Sequence, residues 1–144
     1  MKCHTILGEE HEEGVWIYAK ERTPLVDEIE RLLEGDAELI GYCGRDIVRL
    51  SHADVYCFTV EDGRLYAVTK AEKWQLKQRL YQVEGMLGAD FVKINQSCIA
   101  NIRHIKRFEV SFAGALLVVF HNGHRDYVSR RQLKAVKKRI GFHL

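Results

Sequence analysis

At 144 residues, with 47% apolar content and a single proline, Pro24, the chain is sized for one compact domain with an appended segment and can bury a real core. Its longest apolar run, residues 113–120 interrupted by Gly114, is too short to span a bilayer. The start, Met1-Lys2-Cys3-His4, lacks the apolar stretch of a signal peptide, so a soluble, cytoplasmic protein is expected. The formal charge of +2 conceals a polarity: residues 1–90 hold 11 Lys+Arg against 18 Asp+Glu, a net of −7, whereas residues 91–144 hold 11 against 2, Glu109 and Asp126, a net of +9. A basic block of this density attracts polyanions by counterion release, which puts nucleic acid first among partners and an anionic membrane surface second.

In chain order, Val15 to Ala19 reads as a short strand, and Thr23-Pro24 as a helix start with proline at the first helical position. Leu25, Ile29, Leu32 and Leu33 recur at helical spacing, and Gly35 is placed as the stop. Strand-like runs follow at Leu39–Tyr42, Ile47–Leu50 and Val55–Val60, and Asp62-Gly63 is a two-residue hairpin signal leading to residues 65–69. Leu76, Leu80, Val83 and Leu87 then return to a period near 3.6, which predicts one amphipathic helix over residues 71–87, closing at Gly88. Beyond it, Phe91–Ile94, Ile105–Phe112 and Ala115–His121 read as strands, and Asn122-Gly123 as a type I′ turn before Arg125–Val128. Ser129 is positioned as the N-cap of a last helix whose buried side is Leu133, Val136 and Ile140. No repeat or flexible linker interrupts this order, so the acidic first segment is expected to pack against the rest.

Cys3, Cys43, Cys57 and Cys98 are separated by 40, 14 and 41 residues, with no C-x-x-C pair, which argues against a zinc site or a disulfide framework. Cys57 and Cys98 have apolar neighbours and read as small buried thiols. His121 and His124 flank a turn, but Asp126 is the sole nearby third ligand and structural zinc wants four, so no metal is expected. Neither a Gly-x-Ser-x-Gly elbow nor a Gly-rich phosphate loop occurs; an enzyme is not expected, nor a cofactor.

The basic residues say more when taken by position. Lys134, Lys137, Lys138 and Arg139 lie away from the apolar side of the last helix, the later ones where the macrodipole favours cations. Arg130 and Arg131 instead place two positive charges at the positive end of that dipole. A phosphate, or the acceptor edge of guanine, would turn this conflict into an attraction. A second polar cluster, Lys93-Ile94-Asn95-Gln96-Ser97, leaves a strand and enters a turn. Its amides match the paired donor and acceptor of adenine, and its lysine can reach phosphate. Asn101, followed by an apolar residue, is better placed to bond neighbouring backbone.

The stretch Phe91-Val92-Lys93-Ile94-Asn95-Gln96-Ser97-Cys98-Ile99-Ala100-Asn101-Ile102-Arg103-His104-Ile105, then Asn122-Gly123, then Val128-Ser129-Arg130-Arg131 and a Lys-rich terminal helix, closely resembles the LytTR-type DNA-binding domain of bacterial transcription regulators. The likeness reaches back through Ala53-Asp54-Val55-Tyr56-Cys57-Phe58 and covers roughly residues 40–144. The acidic residues 1–39 resemble the short extension of the family's small stand-alone branch. The resemblance implies a mainly β fold with flanking helices (α+β), in which LytTR-like antiparallel sheets follow a strand-helix N-terminal extension. It also implies a sequence-specific regulator of transcription that reads direct-repeat promoter sites in double-stranded DNA through loops in successive major grooves, as a homodimer on tandem repeats. Carried over residue by residue, the reading and phosphate-gripping positions are Lys93, Asn95, Gln96 and Ser97 in the loop, Arg130 and Arg131 before the last helix, and Arg64 in the first hairpin.

Many members carry His-Arg where Asn95-Gln96 stand here, which implies a different base preference. The phosphoacceptor receiver domain of most members has no room in the residues that precede the match, so phosphorylation is not the expected switch. In the stand-alone branch the usual antagonist is a small co-encoded membrane protein, and the acidic segment is expected to dock such a partner or a second copy of the chain. An RNA-binding or anionic-membrane-binding basic module is the alternative. Because the aromatics near the basic loops, Phe91, Phe108, Phe112 and Tyr127, fall in expected strands, core is their expected use.

Overall fold

Beyond residue 38, alternation with period two governs the chain, and the computed structural model, which describes residues 4–10, 14–34 and 38–142, folds it into two antiparallel sheets. The first runs in the order β2-β1-β5-β4-β3-β7-β6, built from β1 (Leu39–Cys43), β2 (Asp46–Leu50), β3 (Cys57–Glu61), β4 (Arg64–Val68), β5 (Lys73–Leu76), β6 (Phe91–Asn95) and β7 (Cys98–Asn101). The second has β9 (Leu116–Phe120) at its centre, flanked by β8 (Ile105–Val110) and β10 (Arg125–Val128). Three helices accompany them: α1 (Pro24–Glu34), α2 (Leu80–Glu84) and α3 (Arg130–Ile140).

Successive side chains of a strand point to opposite faces, so the larger sheet feeds two cores. Cys57, Val68, Cys98 and Ala100 face the smaller sheet and α3, meeting Ile94, Leu116, Val118, Phe120, Val128 and Val136, with Leu133 and Ile140 packed against them. Phe58, Leu65, Ala67, Leu76 and Ile99 face the other way, against Leu39, Val55 and the Val83 side chain of α2. The last helix therefore buries the side expected of it, and Gly141, at φ 86°, ends it by donating its N–H to the Lys137 carbonyl at 2.8 Å.

Several expected elements differ. Residues 71–87 are not one helix: Lys73–Leu76 is β5, wedged between β1 and β4 with Leu65↔Leu76 and Ala67↔Trp74 in register, and the helix is only α2. Trp74 and Leu76 alternate with Lys73 and Gln75, and the β4 edge rewards that period. Leu76, Leu80, Val83 and Leu87 still converge, but as contributors from a strand, a helix and a turn to one cluster. Trp74 also lies so close under Gly41 that a Cβ there would stand 2.7 Å from the Trp74 Cβ, which fixes glycine in β1.

Val15–Ala19 is not a strand. No strand pairs with it, and an isolated strand in water gains nothing from its backbone groups; Trp16 and Tyr18 are exposed. The following helix does begin at Pro24, with Thr23 Oγ1 accepting from the Val26 N–H at 3.3 Å. Its expected stop, Gly35, lies outside the described residues. Among the described side chains before Glu38 only Val26 is buried.

Asp62-Gly63 closes β3–β4 with φ 51° and 75°, the positive pair that a type I′ turn requires. Asn122-Gly123 does not: Gly123 alone is at positive φ, and the Phe120 carbonyl accepts from Gly123 N–H while the His124 carbonyl accepts from Phe120 N–H, each at 2.9 Å. This is a type I turn with a glycine bulge. It is held because Asn122 Oδ1 accepts from His124 N–H at 3.0 Å and Asn122 Nδ2 donates across to the Thr69 carbonyl at 2.9 Å. The expected strand 105–112 also ends early, at Val110. Ser111 then anchors a tight turn through Ala115 N–H and Gly114 N–H, and Phe112 stands fully exposed on it.

Candidate nucleic-acid interface

Two backbone hydrogen bonds bring three separate chain segments to one end of the larger sheet. Val60 N–H donates to the Ser97 carbonyl at 2.8 Å, which sets the β3–β4 hairpin and its Arg64 beside the β6–β7 loop. Ser129 N–H donates to the Ile94 carbonyl at 2.8 Å, which sets the start of α3 against the other side of that loop. Gln96, Ser97, Arg64, Arg130 and Arg131 are all exposed there. The β8–β9 turn that carries Phe112 lies toward the same end, since Leu116 registers with both Val110 and Val128.

The remaining sequence-derived positions are placed differently. Lys93 registers with Ile99 on the opposite face, half-buried, with its Nζ 3.9 Å from Glu84 of α2. Asn95 is 2% exposed. Its Nδ2 donates to Asp126 Oδ1 at 3.0 Å and to the Tyr127 carbonyl at 2.9 Å, and its Oδ1 accepts from Ser97 N–H at 2.8 Å. Asn101 is buried as well, its Nδ2 donating to the Val55 carbonyl at 2.9 Å and its Oδ1 accepting from Arg103 N–H at 3.1 Å, the backbone role expected of it. Ser129 occupies the N-cap of α3 in extended backbone, but its side chain makes no capping hydrogen bond. The first turn of α3 therefore carries Arg130 and Arg131 without an acidic residue to offset them.

Electrostatics sharpen the picture. Among the described residues, Arg103 pairs with Asp90 at 2.9 Å, Arg107 and Arg125 share Glu109 at 2.8 and 3.2 Å, and Lys93 faces Glu84. Arg64, Arg130, Arg131 and the cations of α3 make no such pair among the described residues, so several unpaired positive charges lie at and behind the loop end. Hydrogen bonding from Arg107, with Arg125 nearby, holds the Glu109 carboxyl below its usual range.

Behind the loop, in the core between the sheets, lie two buried thiols and a histidine. A hydrogen bond shared with Cys98 pulls the Cys57 thiol down to about 7 against the opposing effect of burial, with His124 adding to the pull. The same bond, reinforced by burial, pushes Cys98 up. His124 is raised by its hydrogen bond to Cys57. Among the described residues no three His, Cys, Asp or Glu side chains are grouped to hold a metal ion.

Asp126 is marked in the sequence by its rarity, as one of two acids in residues 91–144. Phe112 and Tyr127 differ from their expected use as core. Both are exposed, because Phe112 sits past the strand end and Tyr127 on the outer face of β10. Among the described residues no helix is long and apolar enough to cross a membrane.

A mainly antiparallel β domain that gathers exposed arginines and an amide at one end has the features of a nucleic-acid-binding domain. Comparison with known proteins gives the family. The model of the LytTr DNA-binding domain matches residues 45–141, and the chain belongs to that family. Over 108 residues it is 32% identical to uncharacterised HTH-type transcriptional regulators of Staphylococcus aureus strains NCTC 8325 / PS 47 and MRSA252, covering 75% of this chain and 74% of each relative. The fold matches the LytTr DNA-binding domain of a putative methyl-accepting/DNA response regulator from Bacillus cereus, with a TM-score of 0.69 and 22% identity, covering 75% of this chain and all of that one. Among the described residues, strands stand between each α-helix and the next.

Proposed function

We propose that this protein is a sequence-specific, DNA-binding regulator of transcription that acts without chemistry. The observation that carries the reading is the convergence of Arg64, Gln96, Ser97, Arg130 and Arg131 on one exposed end, without acidic partners among the described residues. The transcriptional-regulator names of its staphylococcal relatives support it. In this reading Gln96 and Arg131 enter major grooves and contact base edges, while Arg130, Arg64 and the lysines of α3 neutralise phosphates. Two copies bind a direct repeat. Residues 1–39 form an extension, for which a co-encoded membrane protein is the proposed partner, and residues 40–144 bind DNA.

The test is a gel shift and footprint on the region upstream of the protein's own gene, titrated with salt. Protection of a repeated element, with affinity falling steeply as salt rises, is expected; equal affinity for scrambled duplex would overturn specific regulation. Exposed Phe112 and Tyr127 support a second reading, single-strand RNA binding by base stacking. Single-stranded RNA that displaces promoter duplex at equal concentration would favour it.

A further inference from the structure

We infer that Asn95 and Asp126 form a latch that fixes the β6–β7 loop against β10, making Asn95 a positioning residue for Gln96 and Arg131 and not a base reader. The inference rests on the reading of this end of the molecule as the DNA-contacting one.

Three observations carry it. First, the Asn95 amide is already committed. Its Nδ2 donates to Asp126 and Tyr127, its Oδ1 accepts from Ser97, and it is buried, so no paired donor and acceptor remain for an adenine edge. Second, the loop it closes cannot hold its shape by backbone preference alone. Asn95 registers with Cys98, leaving Gln96-Ser97 as a two-residue connection, yet neither residue has positive φ, since Asp62 is the one described non-glycine residue that does. Two-residue loops that match the twist of their strands use positive φ. Here a register shift between Lys93 and Asn95 and the turn from Asn95 Oδ1 to Ser97 N–H take over that task. Third, Asp126 is one of two acids in a segment with 11 cations, and a carboxylate toward this end opposes phosphate. Its Oδ1 accepts from both Asn95 Nδ2 at 3.0 Å and Tyr127 N–H at 2.8 Å, three residues before the cap of α3. The latch thus spans the two sheets and sets the spacing between the loop that presents Gln96 and the helix start that presents Arg131.

The readout is the ratio of affinities for the footprinted duplex and its scrambled counterpart, measured by fluorescence anisotropy at one salt concentration with thermal unfolding of each variant alongside. N95D places two carboxylates together and should lower the ratio roughly 5- to 150-fold, the scale of one lost paired contact. The exchange N95D/D126N has the wild-type net charge and returns a donor at 126 to an acceptor at 95, with Ser97 N–H still satisfied, but it sets a carboxylate oxygen against the Tyr127 carbonyl, so it should recover only part of the ratio. As a second route, D126A removes a negative charge, so scrambled binding should tighten while the ratio falls. A ratio unmoved by N95D or by D126A would overturn the latch while leaving the DNA-binding reading intact. A wild type that does not distinguish the two duplexes would overturn both.

Discussion

The two ends of the sandwich are built on opposite plans. At one, polar groups are turned inward onto the protein: Asn122 spans the 121–124 turn to reach Thr69, His121 N–H donates to the His104 carbonyl at 3.0 Å, and the His104 ring stacks on Tyr56 at 4.0 Å. At the other, the loops are fixed from behind by Asn95, Ile94 and Val60, and the residues at their tips keep exposed side chains. Counting charge along the chain does not separate these ends, because the basic half contains both paired and unpaired arginines. What separates them is what the polar groups meet: at the first end they bond the protein, whereas Gln96, Arg130 and Arg131 are exposed at the second, and α3 holds no acid.

The largest effect on this contrast is expected from R131A at the open end. It should weaken specific duplex binding by about 1–3 kcal/mol while leaving the unfolding midpoint in place, as anisotropy and thermal scans would register. Q96A should cost a similar amount at one base position only and leave the salt dependence unchanged. R130A should reduce the slope of log affinity against log salt by about 1, which a titration with each duplex would separate. At the closed end, N122A removes a turn-forming acceptor and a bridge to Thr69. Urea unfolding should detect a loss of about 1 kcal/mol, with DNA affinity unaltered.

The smallest effect is expected at Glu109. Its folded-state pKa lies below the unfolded one, so its contribution is present above the ordinary carboxylate range near about 4.3 and is lost as pH falls through the depressed value. E109Q should therefore lower stability slightly at neutral pH and flatten that acid limb, so that thermal unfolding of variant and wild type converges at low pH.

Most strands, the Asp62-Gly63 turn and α3 were legible because each advertises itself locally, by alternation, by a turn dipeptide or by one apolar stripe. The segment 71–87 was not. Its apolar residues fit a helical period over the whole stretch, while the strand period of residues 73–76 is only four residues long and is stabilised by β1 and β4, distant in sequence. At the site, Gln96, Arg130 and Arg131 could be marked by chemistry alone, since nothing nearby explained them. Asn95 was assigned alongside Gln96 because adjacent amides look alike in one dimension. The structure separates them by direction: Asn95 points inward, where Asp126, 31 residues away, accepts from it. Val15–Ala19 had the composition of a strand and lacked only an edge to pair with.

Strand β1 meets β5 through the single registered pair Tyr42↔Gln75, and the family match begins at Arg45, inside the β1–β2 turn. Beyond that pair, the hairpin rests on Trp74 seated beneath Gly41 and on Leu39 and Leu50, which join the core around Phe58 and Val83. In the language of hydrogen exchange, such a pair forms a small cooperative unit of its own. Amides of residues 39–50 should take up deuterium together and before those of β3 and β4, and the chain that enters at Glu38 is thereby fastened to the edge of the large sheet.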